Sequence, residues 1–225
     1  MGKSMRLIYG TGNPGKFHMM QDMLRGTQIE LVSLREALEE RRASLRMEDE
    51  EPLEVTPPEE SGSDPLENAR QKAEFYFALL RRPVFSCDSG LFIEGLPDEE
   101  QPGVHVRNVN GRRLTDQEMT EHYRGIAARL GGKCRARYQN AICLILDEGH
   151  RYEYAGKDIS GDDFYLVEQA MPQAEEGFPL EPISVDIRSG RCFVEEESGT
   201  RSQTLSEGMR RFFDSVCFDR GRRAL

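Results

Sequence analysis

Residues 10–16, with the sequence GTGNPGK, form the first segment whose composition could do chemistry. The segment follows a short apolar run and precedes apolar residues at helical spacing, so it lies where a strand gives way to a helix. Backbone N–H groups in such a loop form a positive concavity for a phosphate group, and Lys16 adds a full positive charge. Phe17 stands where a P-loop needs Ser or Thr, which disfavours an ordinary P-loop NTPase. A glycine-rich turn with a solvated Lys16 is the alternative interpretation.

A second candidate is Asp88, which begins the sequence Asp-Ser-Gly between apolar runs at 84–87 and 91–96. We predict that Asp88 lies at a turn between two buried strands. A fixed carboxylate there could bind Mg²⁺ or accept a proton from water, although an Asx-type turn would explain the same residues. The sequence also resembles half of an aspartic-protease site, which would need a second such aspartate and would leave Lys16 without a role.

Glu59 and Glu60 form an acidic pair that could add a metal ligand to Asp88, or could be solvated surface charges. The four histidines form no spaced ligand set, and Ser89 lacks the sequence context of a nucleophilic serine. The residues alone therefore favour phosphate and metal chemistry over nucleophilic catalysis.

The elements that must position these residues follow from apolar spacing and capping signals. Asp64-Pro65-Leu66-Glu67 has the form of a capping box, which predicts a helix from there to about residue 82. Thr115 and Glu118 form another, and the helix that they begin should end at Gly131-Gly132. Apolar runs predict strands at 5–9, 29–34, 135–147, 151–155 and 164–170, and a last helix beginning near Thr204. This order predicts an α/β fold with a mixed sheet.

The composition of the chain excludes several classes of protein. The chain has 225 residues and a formal net charge of −10, with 37% hydrophobic and 31% charged residues, which indicates one folded domain. The acidic balance argues against binding a nucleic acid polymer, and no apolar run reaches the roughly 20 residues of a membrane span. Five cysteines without a CxxC pair suggest neither a disulfide framework nor a zinc site. The first residues, MGKSMRLIYG, lack the long apolar core of a signal peptide, so we expect a cytoplasmic protein.

Several motifs, in this order and spacing, resemble those of the inosine triphosphate pyrophosphatase (Ham1-like) family. The match is good over roughly the first half of the chain and thin after about Asp147. The motifs are TGNPGK at 11–16, EESG at 59–62, PLENA at 65–69, DSGL at 88–91 and PGV at 102–104.

The resemblance implies an inosine-triphosphatase-like fold, an elongated mixed sheet flanked by helices with a cleft between two lobes. It implies a single domain over 1–225, with the charge-rich and partly helical segment at about 35–60 as an insertion. The implied activity is hydrolysis of a nucleoside triphosphate between its α and β phosphates, giving monophosphate and pyrophosphate with Mg²⁺. The implied substrates are non-canonical purine nucleotides such as ITP, XTP or dITP, or other modified nucleotides, and the implied assembly is a homodimer.

The resemblance also assigns roles to individual residues. Asp88 would be the catalytic proton acceptor and a metal ligand, together with Glu59 or Glu60. Lys16 would be catalytic and would also bind substrate. The other implied substrate-binding residues are Thr11, Asn13, Ser89, Phe178 and Arg220.

The departures from the family concern mainly the base pocket. Cys87 replaces one of two paired aspartates, and residues 177–182 (GFPLEP) correspond to a GFGYDP-like segment. The family's closing Ser-His-Arg-Gly motif corresponds to residues 218–221, where Asp219 replaces the histidine. The family also has a lysine upstream of that motif. Asp214 stands at its position here, unless a shifted alignment places Arg210 or Arg211 there.

These changes predict either an altered base preference or a catalytically impaired nucleotide-binding or regulatory protein. A third hypothesis is a phosphotransferase that uses residues 10–16 as a degenerate P-loop. It predicts transfer of the γ-phosphate or release of orthophosphate.

Overall fold

A computed structural model describes residues 4–44, 55–172, 177–195 and 203–218. Over these ranges the chain alternates helices and strands first and then continues mainly as strands, which confirms the predicted α/β class. The helices are α1 (Pro14–Met23), α2 (Leu34–Ser44), α3 (Pro65–Leu80), α4 (Asp116–Arg129) and α5 (Gln203–Cys217). The strands are β1 (Met5–Tyr9), β2 (Ile29–Ser33), β3 (Val84–Ile93), β4 (Asn108–Val109), β5 (Arg112–Arg113), β6 (Lys133–Asp147), β7 (His150–Tyr154), β8 (Phe164–Val167) and β9 (Ser184–Asp186).

The main sheet is mixed and has the order β2-β1-β3-β6-β8-β9, with β7 paired to the far end of β6. Strand β1 lies parallel to both β2 and β3, as helical crossovers require, whereas β3, β6, β7, β8 and β9 pair antiparallel. The longest register joins β3 to β6, from Val84 opposite Ile145 to Ile93 opposite Ala136. These two strands therefore form the rigid centre of the molecule.

Two apolar cores lie along the β3–β6 pair. Phe85 and Leu144 pack in the first core with α1 and α5, and Leu91 and Ala136 pack in the second with α4. Asp88 lies on β3 between Phe85 and Leu91 in the sequence, but its side chain points to the other face of the strand, towards α3. Among the described residues, no helix is long and apolar enough to cross a membrane.

The structure confirms the predicted helix starts. Asp64 Oδ1 accepts a hydrogen bond from the Glu67 backbone N–H (2.9 Å), and Thr115 and Glu118 form a reciprocal capping box. The predicted turn at Asp88 is wrong, because residues 88–90 lie inside β3 and pair with residues 141–139 of β6. Pairing with β6 satisfies the backbone along the whole segment, so it prevails over the local turn preference of Asp-Ser-Gly.

The charge-rich segment at 35–60 is only partly described. Its first part is helix α2, which is tied to β1 by hydrogen bonds from Arg6 to Glu36 (2.9 Å) and Glu40 (3.0 Å). Residues 45–54 lie outside the described ranges, and residues 55–60 lead irregularly into the start of α3. A single domain over 1–225 with an insertion here stays a prediction.

Candidate functional site

Asp88 is the centre of a buried polar cluster. It is 6% exposed, and its two carboxylate oxygens accept from two side chains of α3. Lys72 Nζ lies 2.8 Å from Oδ1, and Asn68 Nδ2 donates to Oδ2 at 3.1 Å. Lys72 Nζ also lies 3.1 Å from Glu60 Oε1, so one ammonium group joins two carboxylates.

Helix α3 presents this cluster because of its sequence spacing. Asn68 and Lys72 are four residues apart and so lie one above the other on the same helix face. Two small residues on the helix, Ala69 and Ala73, are fully buried against Cys143 and Ile145 of the sheet. Such small side chains let the helix approach the sheet closely enough for Asn68 and Lys72 to reach Asp88.

The charges around Lys72 determine its protonation state. Burial lowers the pKa of the Lys72 ammonium, but the neighbouring carboxylates of Asp88 and Glu60 outweigh burial, so the net pKa is raised. Lys72 is therefore a permanent positive charge at neutral pH. It neutralises much of the negative charge that Asp88 and Glu60 bring into the site.

The irregular segment before α3, residues 55–64, places Glu60 beside this cluster. Its backbone is fixed by side chains of α3: the Gly62 N–H donates to Asn68 Oδ1 (2.8 Å), and the Ser61 N–H donates to Gln71 Oε1 (3.3 Å). A Cβ at position 62 would lie 2.5 Å from Asn68 Oδ1, so only glycine fits there. Glu59 and Glu60 are both exposed, but Glu60 is the one whose carboxylate reaches Lys72 and so lies near Asp88.

The glycine-rich loop is anchored to β3 just before Asp88. The Gly10 N–H donates to the Phe85 carbonyl (2.8 Å), and Ser86 Oγ donates to the Gly10 carbonyl (3.2 Å). A Cβ at position 10 would lie 2.4 Å from Ser86 Oγ, so the close approach of the two strands requires glycine. Asn13 then caps α1, accepting from the Lys16 backbone N–H at 3.1 Å, and its own N–H donates to Thr11 Oγ1 at 3.2 Å.

The Lys16 ammonium lies near enough to the same cluster to be affected by its charges. Burial lowers the pKa of its ammonium group, and the positive charge of Lys72 lowers it further, while Asp88, Cys87 and Glu60 oppose these effects. Within the described ranges the Lys16 ammonium makes no hydrogen bond or ion pair. An unpaired, partly buried cation beside another cation is a place for an anion.

Cys87 and Ser89 point to the opposite face of β3 from Asp88, because successive side chains alternate across a strand. Cys87 shares a hydrogen bond with Tyr9, and burial raises the pKa of its thiol to about 12. The thiol is therefore neutral at physiological pH. Ser89 is half-buried next to Asp88.

The segment that contains Phe178 reaches the glycine-rich loop. Asn13 Nδ2 donates to the Gly177 carbonyl at 3.2 Å, which brings the residue next to Phe178 into contact with the loop. Leu180 is buried in the second core, and Thr120 Oγ1 of α4 donates to the Pro179 carbonyl at 2.7 Å. The GFPLEP segment thus links the loop to the second core.

The described residues of the C-terminal helix α5 do not join this cluster. Arg210 donates to the carbonyls of Met23 (2.6 Å) and Arg25 (3.3 Å) at the end of α1, and Arg211 pairs with Asp158 (2.9 Å). These two arginines therefore hold α5 in place, and neither forms a hydrogen bond or ion pair with the Asp88 cluster in the described part of the chain. Asp214 is exposed on α5. The predicted contacts of Arg220 and Asp219 lie outside the described residues.

A divalent metal would have two protein ligands here. The described residues contain no group of three or more His, Cys, Asp or Glu side chains arranged to hold a metal. However, Asp88 Oδ1 and Glu60 Oε1 each lie within about 3 Å of the same Lys72 nitrogen, so two hard oxygen donors converge. One or two carboxylates completed by substrate phosphates are the usual protein contribution to a Mg²⁺ site, so the residues fit that ion.

Sequence reasoning found Lys16, Asp88 and Glu60 but assigned no role to Asn68 and Lys72. The signal for these two was available in the helix that begins at the Asp64 capping box. In that helix the polar residues Asn68 and Lys72 directly precede the apolar Ala69 and Ala73 and lie one helical turn apart.

A family model and relatives in other organisms identify the family of this chain. The model of the Ham1 family matches residues 7–183. The dITP/XTP pyrophosphatase of Thermus thermophilus is 30% identical over 196 residues, covering 87% of this chain and 83% of the relative. That of Symbiobacterium thermophilum is 30% identical over 214 residues, covering 92% and 94%.

Solved structures agree at the level of the fold. A HAM1 protein from Coxiella burnetii superposes with a TM-score of 0.67 at 20% identity, covering 93% of this chain and 99% of that one. The Ham1 protein of Staphylococcus aureus gives a TM-score of 0.62 at 18% identity, covering 93% and 98%. The inosine-triphosphatase-like fold expected from the sequence motifs is therefore confirmed, and the chain belongs to the Ham1 family.

Proposed function

We propose that the protein is a nucleoside triphosphate pyrophosphohydrolase, which converts a nucleoside triphosphate and water to a nucleoside monophosphate and pyrophosphate. Its relatives are named dITP/XTP pyrophosphatases, which supports a non-canonical purine nucleotide as the substrate. The observation that carries the proposal is the unpaired ammonium of Lys16 beside the Asp88–Lys72–Glu60 cluster. Two cations and two carboxylates in one cleft suit a polyphosphate with its metal.

In this proposal the glycine-rich loop binds the phosphates of the substrate. Thr11, Asn13 and Lys16 surround the beginning of α1, where backbone N–H groups and the helix dipole favour an anion. The positive charge of Lys16 offsets charge that accumulates on the phosphates during cleavage. Lys16 thus both binds substrate and contributes to catalysis.

Asp88 and Glu60 would hold Mg²⁺, and Glu60 is preferred over Glu59 because only Glu60 contacts the cluster. When bound, the ion neutralises phosphate charge and orients the scissile anhydride. Asp88 accepts the proton of the attacking water, and its two hydrogen-bonded α3 partners hold the carboxylate in a fixed orientation.

The base is recognised elsewhere in the cleft. We assign contacts with the nucleoside to Ser89, adjacent to Asp88 on the strand, and to Phe178, whose neighbour Gly177 accepts a hydrogen bond from the loop. The neutral Cys87 and the altered GFPLEP segment support a ranking among non-canonical purine nucleotides that differs from that of the relatives. A contact from Arg220, a homodimer and a cytoplasmic location stay predictions.

Product analysis tests the proposal. The protein would be incubated with Mg²⁺ and a panel of canonical, deaminated and modified nucleoside triphosphates, and pyrophosphate would be separated from orthophosphate. We expect monophosphate and pyrophosphate in equal amounts, with the highest rate on a deaminated purine nucleotide. Orthophosphate would instead indicate γ-phosphate chemistry. Nucleotide binding without product would indicate the impaired, regulatory alternative.

A further inference from the structure

Asn68 uses both ends of its side-chain amide inside the cluster. It is 1% exposed, its Nδ2 donates to Asp88 Oδ2 at 3.1 Å, and its Oδ1 accepts from the Gly62 N–H at 2.8 Å. The first contact reaches β3, and the second reaches the segment that carries Glu60. One buried amide therefore joins the two elements that supply the carboxylates.

From this geometry we infer that Asn68 is a positioning residue, which orients the Asp88 carboxylate and fixes its spacing from Glu60. The inference rests on the proposed function, because it assigns Asn68 to the step in which Asp88 acts. Asn68 itself touches neither the substrate nor the reacting atoms.

Lys72 makes a parallel bridge between the same two elements, but it cannot replace Asn68. Its ammonium group is a point charge on a flexible stem, and a polyphosphate entering the cleft would compete with Asp88 and Glu60 for it. The Asn68 amide is neutral, planar and enclosed, so its two hydrogen bonds persist when the charges around it change. Asn68 therefore holds Oδ2 while leaving Oδ1 available to exchange partners.

The chain offers a variant that separates the two contacts. Asn68→Asp keeps an acceptor for the Gly62 N–H but replaces the amide donor to Asp88 with a second carboxyl group, which opposes the ionised form of Asp88. Gln71→Ala is the matched control, because Gln71 anchors the same segment through Ser61 (3.3 Å) from the same helix. Supporting side chains of this kind typically contribute roughly 10- to 100-fold to activity.

We expect Asn68→Asp to lower kcat for pyrophosphate release by about 100-fold while KM for the nucleotide changes less than about threefold. Gln71→Ala should leave both constants within about threefold of the unaltered protein. The inference is overturned if Asn68→Asp keeps kcat within about threefold. It is also overturned if Gln71→Ala loses as much, since anchoring of the loop would then explain the effect.

A thermal measurement tests the contact without any turnover. The Tm values of the unaltered protein, Asn68→Ala, Asp88→Ala and the double variant form a cycle. If the two side chains interact as described, the double variant loses clearly less Tm than the two single losses combined. Additive losses would overturn the inference. If the unaltered protein releases no pyrophosphate from any nucleotide, the proposed function fails, and this cycle still decides the role of Asn68.

Discussion

The two sides of the candidate cleft differ in how fully their polar groups are paired. On the α3 side, Asp88 accepts from both Asn68 and Lys72, and Lys72 also reaches Glu60. On the side of the glycine-rich loop, the backbone is anchored, but the Lys16 ammonium has no partner within the described part of the chain.

This difference separates two tasks. A carboxylate that must act on a water molecule benefits from being fixed before the substrate arrives, because pre-organised groups need no rearrangement during the reaction. A cation that must bind a substrate phosphate is more useful when no protein group competes for it. We therefore expect changes on the α3 side to affect mainly turnover and changes on the loop side to affect mainly binding.

The largest effect should come from Asp88→Asn. The amide can still accept from Lys72, so the fold should persist, but it cannot take a proton from water and ligates Mg²⁺ poorly. We expect kcat to fall by roughly 10²- to 10⁴-fold, measured as pyrophosphate release under saturating nucleotide. Near-normal turnover in a variant with an unchanged circular dichroism spectrum would remove Asp88 from the mechanism.

A smaller and different effect is expected from Lys16→Ala. Loss of a charged hydrogen bond to phosphate corresponds to a binding defect of about 10- to 100-fold, seen as a raised KM and as weaker binding in a calorimetric titration. Lys157→Ala is a suitable control, because that lysine is exposed and belongs to a separate 3₁₀ turn. Equal binding by Lys16→Ala and the unaltered protein would contradict the assignment of the loop to phosphate.

The sequence predicted the elements better than it predicted the orientation of their side chains. The capping box at Asp64 and the apolar run at 5–9 gave correct starts for α3 and β1, since these signals depend on neighbouring residues. The orientation of Asp88 could not be obtained in this way. Its place inside β3 depends on pairing with β6, about 50 residues further along the chain.

Some residues of the polar cluster could be predicted from local sequence, whereas others depend on how distant elements pack. Lys16, Asp88 and Glu60 lie in short motifs, and their residue types alone point to phosphate and metal chemistry. Asn68 and Lys72 gain their roles only when α3 packs on the sheet, which the buried Ala69 and Ala73 permit. The contact of Arg210 with the carbonyls at the end of α1 could not be predicted either, because it forms only when α5 packs against α1.

The smallest predicted effect concerns how rigidly α3 is held. Arg70 on α3 donates to both oxygens of Glu153 on β7 (2.8 and 2.9 Å), and this bond chiefly lowers the pKa of Glu153 below its usual 4.5. Glu153→Gln should cost about 1 kcal/mol or less, because both side chains are partly solvated. We expect a Tm loss of about 2 °C at neutral pH.

The lowered pKa of Glu153 also predicts how the Tm difference changes with pH. A carboxylate whose pKa is lower in the folded state stabilises the fold fully above its unfolded pKa, and that contribution is lost as the pH falls through the folded value. The Tm difference between Glu153→Gln and the unaltered protein should therefore be constant near neutrality and should shrink below pH 4.5. A difference that grows on acidification would rule out this ion pair as its source.

The separation of binding from turnover is tested most directly by titrating Asp88→Asn with the best nucleoside triphosphate of the panel in Mg²⁺. The variant should turn over too slowly to deplete the ligand, so its equilibrium Kd can be measured by calorimetry. We predict a Kd no more than about threefold weaker than the value for the unaltered protein with a non-hydrolysable analogue. Lys16, the loop and Glu60 are intact in the variant, and loss of the Asp88 charge removes its repulsion of the phosphates, which offsets the weaker Mg²⁺ contact. Binding weakened by tenfold or more would mean that Asp88 is itself a principal binding group, and the division between the two sides of the cleft would be wrong.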